Sequence, residues 1–190
     1  MSLLVLVVGL ALWCGVHLIP AVAPDARAGL IQRLGLRPYR GLFALLIVAS
    51  VVLMVLGWRG ANFIPVYPPP TWGRHITMVL VLVAFILFFS ARAPTNLKRV
   101  FRHPQLTGVH VWGLGHLLAN GDIRSVLLFG TFAAWPIVEM SLISRREGAW
   151  QKPGPQPLRN DVVLLVIATI IYAVIAHFHG WLFGMPAILR

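Results

Sequence analysis

Acidic residues are scarce in this chain, and cysteine is scarcer still. The 190 residues include five aspartates and glutamates against sixteen lysines and arginines, which gives a formal net charge of +11. Only 11% of the residues are charged and 58% are hydrophobic, so too few polar side chains are present to cover a water-exposed globule. The single cysteine, Cys14, excludes an intrachain disulfide. The chain is therefore predicted to be an integral membrane protein.

The sixteen basic residues are unevenly distributed among the connections between hydrophobic segments. The connections after the first, third and fifth segments hold twelve of them, and the other four are Arg59, Arg74, Arg124 and Arg190. Because lysine and arginine are retained on the cytoplasmic side of a membrane, both termini are predicted to face away from the cytoplasm. The positive charge thus indicates orientation in a lipid bilayer, the expected partner, and no nucleic-acid partner is expected.

The hydrophobic segments predict an all-α fold, a polytopic membrane helix bundle with six transmembrane helices in a single domain over residues 1–190. The helices are placed at about 3–22, 41–58, 73–91, 104–119, 123–143 and 161–183. Pro24 to Arg40 is predicted to be a loop, and Thr71 and Asp161 are predicted to cap the third and sixth helices. No internal repeat is apparent at this stage.

The densest cluster of polar residues surrounds the fourth predicted helix. Proline suits the first helical position because it has no N–H to leave unpaired, and the turn residues after Ala119 end the helix. We call this stretch the signature segment; its marked residues are Arg102, His103, Pro104, Gly108, Asn120, Gly121 and Asp122. Its first part is expected at the cytoplasmic mouth of the bundle, as an anion-binding site or as a headgroup anchor.

Three predicted helices each carry one histidine beside a stripe of small residues. His116 flanks the stripe of the fourth helix, at ~100° per residue. His177 in the sixth helix and His17 in the first are placed similarly, whereas His110 is predicted to face lipid. The stripe of the fourth helix consists of Gly108, Trp112, Gly115 and Ala119.

Inward histidines in a membrane bundle have two interpretations. Neutral imidazoles of His17, His116 and His177 could coordinate a metal or haem iron, or they could form hydrogen bonds between helices. A histidine inside the membrane is expensive, which favours a functional role. His17 is predicted nearer the cytoplasmic side than His116. The two histidines could therefore bind one iron only if their helices are tilted.

The signature segment also carries a family resemblance. Its residues are Arg102-His103-Pro104-Gln105-Leu106-Thr107-Gly108, then Trp112, then His116-Leu117-Leu118-Ala119-Asn120-Gly121-Asp122. This pattern resembles the NnrU family of bacterial multi-pass membrane proteins, and the resemblance extends over the whole chain. It implies a link to denitrification and nitric oxide metabolism, with components of a nitrogen-oxide reductase as partners.

The NnrU family is itself similar to plant 15-cis-zeta-carotene isomerase, a membrane enzyme that uses haem b. That similarity implies haem b here, with His17 and His116 as iron ligands and His177 in reserve. In the plant enzyme a cysteine one turn before the second ligand is proposed to exchange with it. Gly113 occupies that position here, so haem binding is implied without ligand exchange or isomerase activity.

Two other functions remain open at the level of sequence. The Arg-His-Pro core also resembles membrane methyltransferases that bind S-adenosylmethionine, although those usually carry a tyrosine in the core and a downstream acidic pair. After Asp122 the only acidic side chains before residue 161 are Glu139 and Glu147. The second alternative is a non-catalytic assembly factor for a nitrogen-oxide reductase.

The predicted topology can be tested with reporter fusions at Arg190. Since the basic connections are predicted to be cytoplasmic, alkaline phosphatase fused there should be periplasmic and active. A fluorescent protein at the same site, which folds in the cytoplasm, should stay dark. Bright fluorescence with inactive phosphatase would place Arg190 in the cytoplasm and contradict the predicted topology.

Overall fold

The computed structural model describes residues 1–187, and its regular structure is helical throughout that range; Arg190 lies outside it. The α-helices are α1 (Ser2–Val22), α2 (Pro24–Leu34), α3 (Leu36–Gly60), α4 (Gly73–Ser90), α5 (Pro104–Ala119), α6 (Ile123–Glu147) and α7 (Leu158–Phe183). Five of them, α1, α3, α4, α6 and α7, are long and apolar enough to cross a membrane. The fourth predicted span corresponds to α5, which has 16 residues. The predicted all-α, multi-pass membrane bundle is confirmed.

The predicted loop between Pro24 and Arg40 is wrong, because this stretch is helical. Pro24 occupies the first turn of α2, where Asp25 adds a favourable negative charge, and Gly35 follows the helix with a φ of 85°. α3 then begins at Leu36, earlier than predicted. Between the two arginines of α2, the good helix formers Ala28, Leu30 and Gln32 outnumber Gly29, so a high charge did not indicate a loop here.

The two predicted helix caps are also wrong. Trp72, not Thr71, precedes α4, and no side chain caps that helix. Asp161 lies inside the first turn of α7, where its carboxylate accepts hydrogen bonds from the backbone N–H and the side-chain amide of Asn96, at 2.8 and 2.6 Å. Asn96 begins a short 3-10 helix, Asn96–Arg99, between α4 and α5. A distant partner has therefore replaced the predicted local capping bond.

The spanning helices follow one another in space in the order α3, α1, α6, α5, α4 and α7. α5 is therefore central: it packs along α4 on one side and along α6 on the other. α2 packs against α1 and α3. Since α5 contacts helices on two sides, the prediction of one inward-facing stripe was incomplete for this helix.

Glycines let α5 approach both neighbours closely. A Cβ atom built on Gly108 would lie 2.7 Å from the carbonyl oxygen of Ala84 in α4. A Cβ atom on Gly113 would lie 2.7 Å from both the carbonyl oxygen of Phe129 and the backbone nitrogen of Ala133 in α6. The predicted small-residue stripe is thus filled by α4, in keeping with the role of small residues between membrane helices.

Substitution of these glycines tests the packing directly. Gly113→Ala should lower the free energy of unfolding by about 1–3 kcal/mol, because its methyl group would overlap the backbone of α6. Gly130→Ala is the matched control, since no atom lies within 4 Å of a Cβ built there. The control should be neutral or slightly stabilising because alanine favours helix. Unfolding midpoints in detergent that are equal for the two variants would contradict the close approach.

Candidate functional site

The start of the signature segment is fastened to the last turn of α6. His103 Nε2 lies 2.9 Å from Ser144 Oγ, and Arg102 donates to the carbonyl of Gly148 at 2.8 Å. A longer ion pair joins Arg102 to Glu147 at 3.5 Å. Burial, and then the neighbouring Arg102 charge, lower the pKa of His103, so its imidazole is neutral at pH 7. Both side chains are engaged within the protein and lend the methyltransferase interpretation no support.

The end of the signature segment holds the connection between α3 and α4. The carbonyl of Gly121 accepts hydrogen bonds from the N–H groups of Val66 and Tyr67, at 2.8 and 3.1 Å. A Cβ atom at position 121 would lie 1.9 Å from the Tyr67 carbonyl oxygen, so only glycine fits. The Tyr67 hydroxyl donates to the Asn120 carbonyl at 2.9 Å. Burial, followed by the Asp122 charge, raises the pKa of Tyr67, so the phenol keeps the proton that it donates.

Asp122 joins this turn to α6. Its carboxylate caps α6 by accepting the N–H of Ser125 at 3.3 Å, and it also accepts the Ser125 hydroxyl. An ion pair of 3.1 Å connects Asp122 to Arg124. Arg124 in turn donates to the carbonyl of Ala61 at 3.1 Å and lies 4.9 Å over the ring of Trp58. The last residues of the signature segment therefore join the α5–α6 turn to the α3–α4 connection.

His116 lies in the last turn of α5 against two aromatic rings. Its Nδ1 is 2.9 Å from the carbonyl oxygen of Trp112. Since a carbonyl only accepts, Nδ1 carries the proton and Nε2 keeps a lone pair. The ring centres of Phe129 and Trp112 are each 4.5 Å from the imidazole, and Phe129 is stacked on it. A histidine held in this way by Nδ1 has the tautomer of a metal ligand that binds through Nε2.

A cavity of about 100 Å³ lies beside His116, between α4, α5 and α7. Its other polar side chains include Arg74, Tyr172 and His179, and the remaining lining is mostly apolar. Sites for small organic molecules are usually about 300–1,000 Å³, so this space is too small for a haem. It can hold a few waters or a diatomic molecule.

α1 and α5 share three residues at the same spacing. The shared spacing is that of Gly9, Trp13 and His17 in α1 and of Gly108, Trp112 and His116 in α5. In α1 the His17 Nδ1 lies 2.9 Å from the Trp13 carbonyl, and the two ring centres are 4.3 Å apart. Gly9 packs against the α3 backbone as Gly108 packs against that of α4. We call each Gly-x-x-x-Trp-x-x-x-His stretch a histidine unit.

The two histidine units meet at an aromatic layer formed by Trp13, Phe132 and Trp112. Phe132 of α6 is 5.4 Å from the ring of Trp13 and 5.8 Å from the ring of Trp112. Both units therefore pack on the same helix, and their tryptophans lie at the same level of the bundle.

The two histidines lie on opposite sides of this aromatic layer. His17 contacts Trp135 of α6, with ring centres 5.0 Å apart, and His116 contacts Phe129. Positions 129 and 135 are separated by ~9 Å along a helix, at 1.5 Å per residue. α1 runs parallel to α6, and α5 runs antiparallel to it. Each imidazole lies one turn after its tryptophan along its own helix, so His17 and His116 are displaced from the aromatic layer in opposite directions along α6. The structure thus packs both His17 and His116 against α6 without bringing them together.

The sequence placed two other histidines wrongly. His177 is exposed on α7 and does not point into the bundle. It is His179 that lines the cavity beside His116. His110 was predicted to face lipid, but its Nδ1 lies 2.6 Å from the carbonyl of Ala133 on α6. This bond is possible because α6 packs on the side of α5 that carries His110. The prediction assumed that only the small-residue stripe of α5 faces a neighbouring helix.

The surroundings of His17 and His116 fit haem b in two respects. Both imidazoles keep Nε2 for a metal because Nδ1 donates to the helix backbone. The indole N–H of Trp13, next to His17, is buried and has no hydrogen-bond partner within residues 1–187, whereas the indole of Trp135 has the Glu139 carboxyl beside it. An acceptor such as a haem carboxylate would satisfy the indole of Trp13. The aromatic layer must open for one haem to contact both histidines.

Glu139 is a buried carboxyl group whose position the sequence interpretation did not use. Its residue is 8% exposed, and its Oε2 atom has no hydrogen-bond partner within the described part of the chain. It lies one turn after Trp135 on α6 and near Cys14 of α1. A glutamate within an apolar run of a spanning helix is expensive, and that signal was visible in the sequence. Across residues 1–187, no three side chains among His, Cys, Asp and Glu are grouped to hold a metal ion.

The structural role of Asp122 can be tested by substitution. Asp122→Ala should lower the free energy of unfolding by on the order of 2–4 kcal/mol, because it removes a helix cap and the partner of Arg124. Asp25→Ala is the control, since Asp25 is an exposed acidic residue in the first turn of α2 and should contribute at most about 1 kcal/mol. Unfolding midpoints in detergent that fall equally in both variants would contradict this role.

Comparison with known proteins places the chain in a family. The NnrU protein family model matches residues 5–187, which is nearly the whole sequence. No curated protein and no solved structure matches the chain. The match covers all seven helices, so it includes both histidine units as well as the signature segment. This multi-pass membrane protein belongs to the NnrU family.

Proposed function

We propose that this protein binds one haem b and acts in bacterial nitric oxide metabolism, with His116 as the essential iron ligand and His17 as the second. The observation that carries the proposal is the pair of histidine units, which present two neutral imidazoles with Nε2 available, both packed against α6. His177, the reserve ligand predicted from sequence, is left out because it is exposed.

The residues of the chain have separate roles in this proposal. The carbonyls of Trp13 and Trp112 orient the imidazoles by accepting their Nδ1 protons. The rings of Phe129, Phe132 and Trp135 surround the site with apolar surface and exclude water. When bound, haem supplies a redox-active iron to which small ligands such as nitric oxide can bind.

The cavity beside His116 suits the same setting. Its volume of about 100 Å³ matches a diatomic ligand better than an organic substrate. Arg74 and Tyr172 offer hydrogen-bond donors within that cavity. Both features favour a protein that binds or senses a small molecule over an isomerase with a long apolar substrate.

We also propose the inner membrane as the location, with both termini periplasmic. The distribution of basic residues supports this orientation. His116 would then lie near the periplasmic end of α5 and His17 nearer the cytoplasmic end of α1. Components of a nitrogen-oxide reductase are the proposed partners, and a non-catalytic assembly role for such a reductase is the alternative if no haem is bound.

Absorption spectra of the purified protein and three variants test the haem proposal. Expressed with adequate haem and normalised for protein, the wild type should show a Soret band and sharp low-spin bands in the ferrous state. His116→Ala should lose most of the haem. His17→Ala should keep part of it in a high-spin form that binds nitric oxide more readily. His177→Ala is the matched control and should leave the spectrum unchanged.

Two results would overturn this proposal. The first is a wild type that purifies without a Soret band although the cells supply haem. The second is a His116→Ala protein whose band is as strong as that of His177→Ala. Either result would favour the assembly role.

A further inference from the structure

A second cavity, remote from His116, lies where α1, α2 and α3 meet. It is open to the surface, has a volume of about 300 Å³, and is lined by Pro20, Arg27, Tyr39, Arg40 and Phe43. Its two charged side chains are both arginines, and they come from different helices. The haem proposal does not use the two arginines of this cavity, although Phe43 in its lining lies 5.7 Å from the ring centre of His17.

The charges of this cavity are not balanced within residues 1–187. The ion pairs of that region involve Arg102, Arg124 and Arg146, and none includes Arg27 or Arg40. The guanidinium of Arg27 lies 5.6 Å from the ring centre of Tyr39, which orients the cation without neutralising it. Two like charges at one cavity repel each other, and an anion bound between them would reverse that effect.

A third guanidinium lies at the same place. Arg146 of α6 donates to the carbonyl of Pro20 at 2.9 Å, and Pro20 lines the cavity. Its ion pair with Glu147 is long, at 3.7 Å, and both side chains are about half exposed. Three helices therefore direct arginines to one end of α1.

The chemistry of these donors indicates the class of ligand. Guanidinium groups present paired N–H donors that match two phosphate oxygens at once. Pro20 and Phe43 add an apolar wall, and the cavity lies at the end of two spanning helices, where headgroups of a bilayer would be. Basic pockets of this kind between membrane helices bind anionic lipid headgroups.

We propose that the cavity lined by Arg27 and Arg40 is a binding site for a phosphate group. The two sources of that group are the headgroup of an anionic phospholipid and free inorganic phosphate. The proposal is independent of haem, because it rests on the α2 and α3 arginines and on Tyr39.

Thermal unfolding of the full chain in detergent, with added ligand, tests the proposal. The probes are dioleoyl phosphatidylglycerol, dioleoyl phosphatidylcholine and inorganic phosphate. The test variant is Arg27→Gln with Arg40→Gln. The matched control is Arg33→Gln with Arg37→Gln, which removes the same charge from the same two helices at exposed positions that do not line the cavity.

Phosphatidylglycerol should raise the unfolding midpoint of the wild type and of the control, and phosphatidylcholine should not. The test variant should need about tenfold more phosphatidylglycerol for the same shift, because two charge-assisted contacts are lost. If inorganic phosphate alone reproduces the shift in wild type and control, the source is free phosphate. A lipid response without a phosphate response identifies the headgroup.

Equal responses of the test and control variants, or no response of the wild type to either phosphate source, would overturn the proposal. If the glutamine pair does not fold, Arg27→Lys with Arg40→Lys replaces it. Lysine keeps the charge but loses the paired donors, so the lysine variant should bind several-fold more weakly than the control. An unchanged lysine variant would then count against a phosphate site.

Discussion

The close contact of α5 with two neighbouring helices is the constraint on which the rest of the structure depends. Within hydrocarbon, helices gain little from the hydrophobic effect, so backbone approach and interhelical hydrogen bonds hold them together. Gly108 and Gly113 allow that approach on two sides of α5, and Thr77 adds a bond of 2.6 Å to the carbonyl of Gly115. The ends of α5 are then fixed by Arg102 and Asp122. Most of the signature segment therefore makes contacts that hold the bundle together.

Local signals predicted the helices well, and distant partners account for the errors. Proline at the start and turn residues at the end gave the bounds of α5 correctly, because both act within one helical turn. Asp161 did not become a cap because Asn96, far away in sequence, binds its carboxylate. His110 and His177 were misplaced because a helical wheel does not say how many neighbours a helix has. His116 was singled out from the fourth-helix stripe and from the family resemblance, and the structure adds that His116 and His17 make matching hydrogen bonds through Nδ1.

The two histidine units determine how the imidazoles of the candidate site are oriented. Each imidazole is oriented by a tryptophan four residues earlier, and the two tryptophans meet on Phe132. His17 and His116 therefore share one aromatic environment while lying on opposite sides of it. The glycine of each histidine unit lets a neighbouring helix pack closely against it. The same small residues therefore contribute to helix packing and to the surroundings of the histidines. A cofactor bound by both histidines must take the place of the ring contacts that now separate them.

The electron paramagnetic resonance spectrum of the ferric, haem-loaded wild type is the most direct test of whether His17 and His116 bind one haem iron. This measurement reports the number and type of axial ligands, independently of how much haem each variant retains. The account predicts a low-spin signal from two imidazole ligands, which requires His17 and His116 to bind the same iron after the aromatic layer has opened. A high-spin signal from an iron with one histidine ligand, or a preparation with no haem signal, would contradict it.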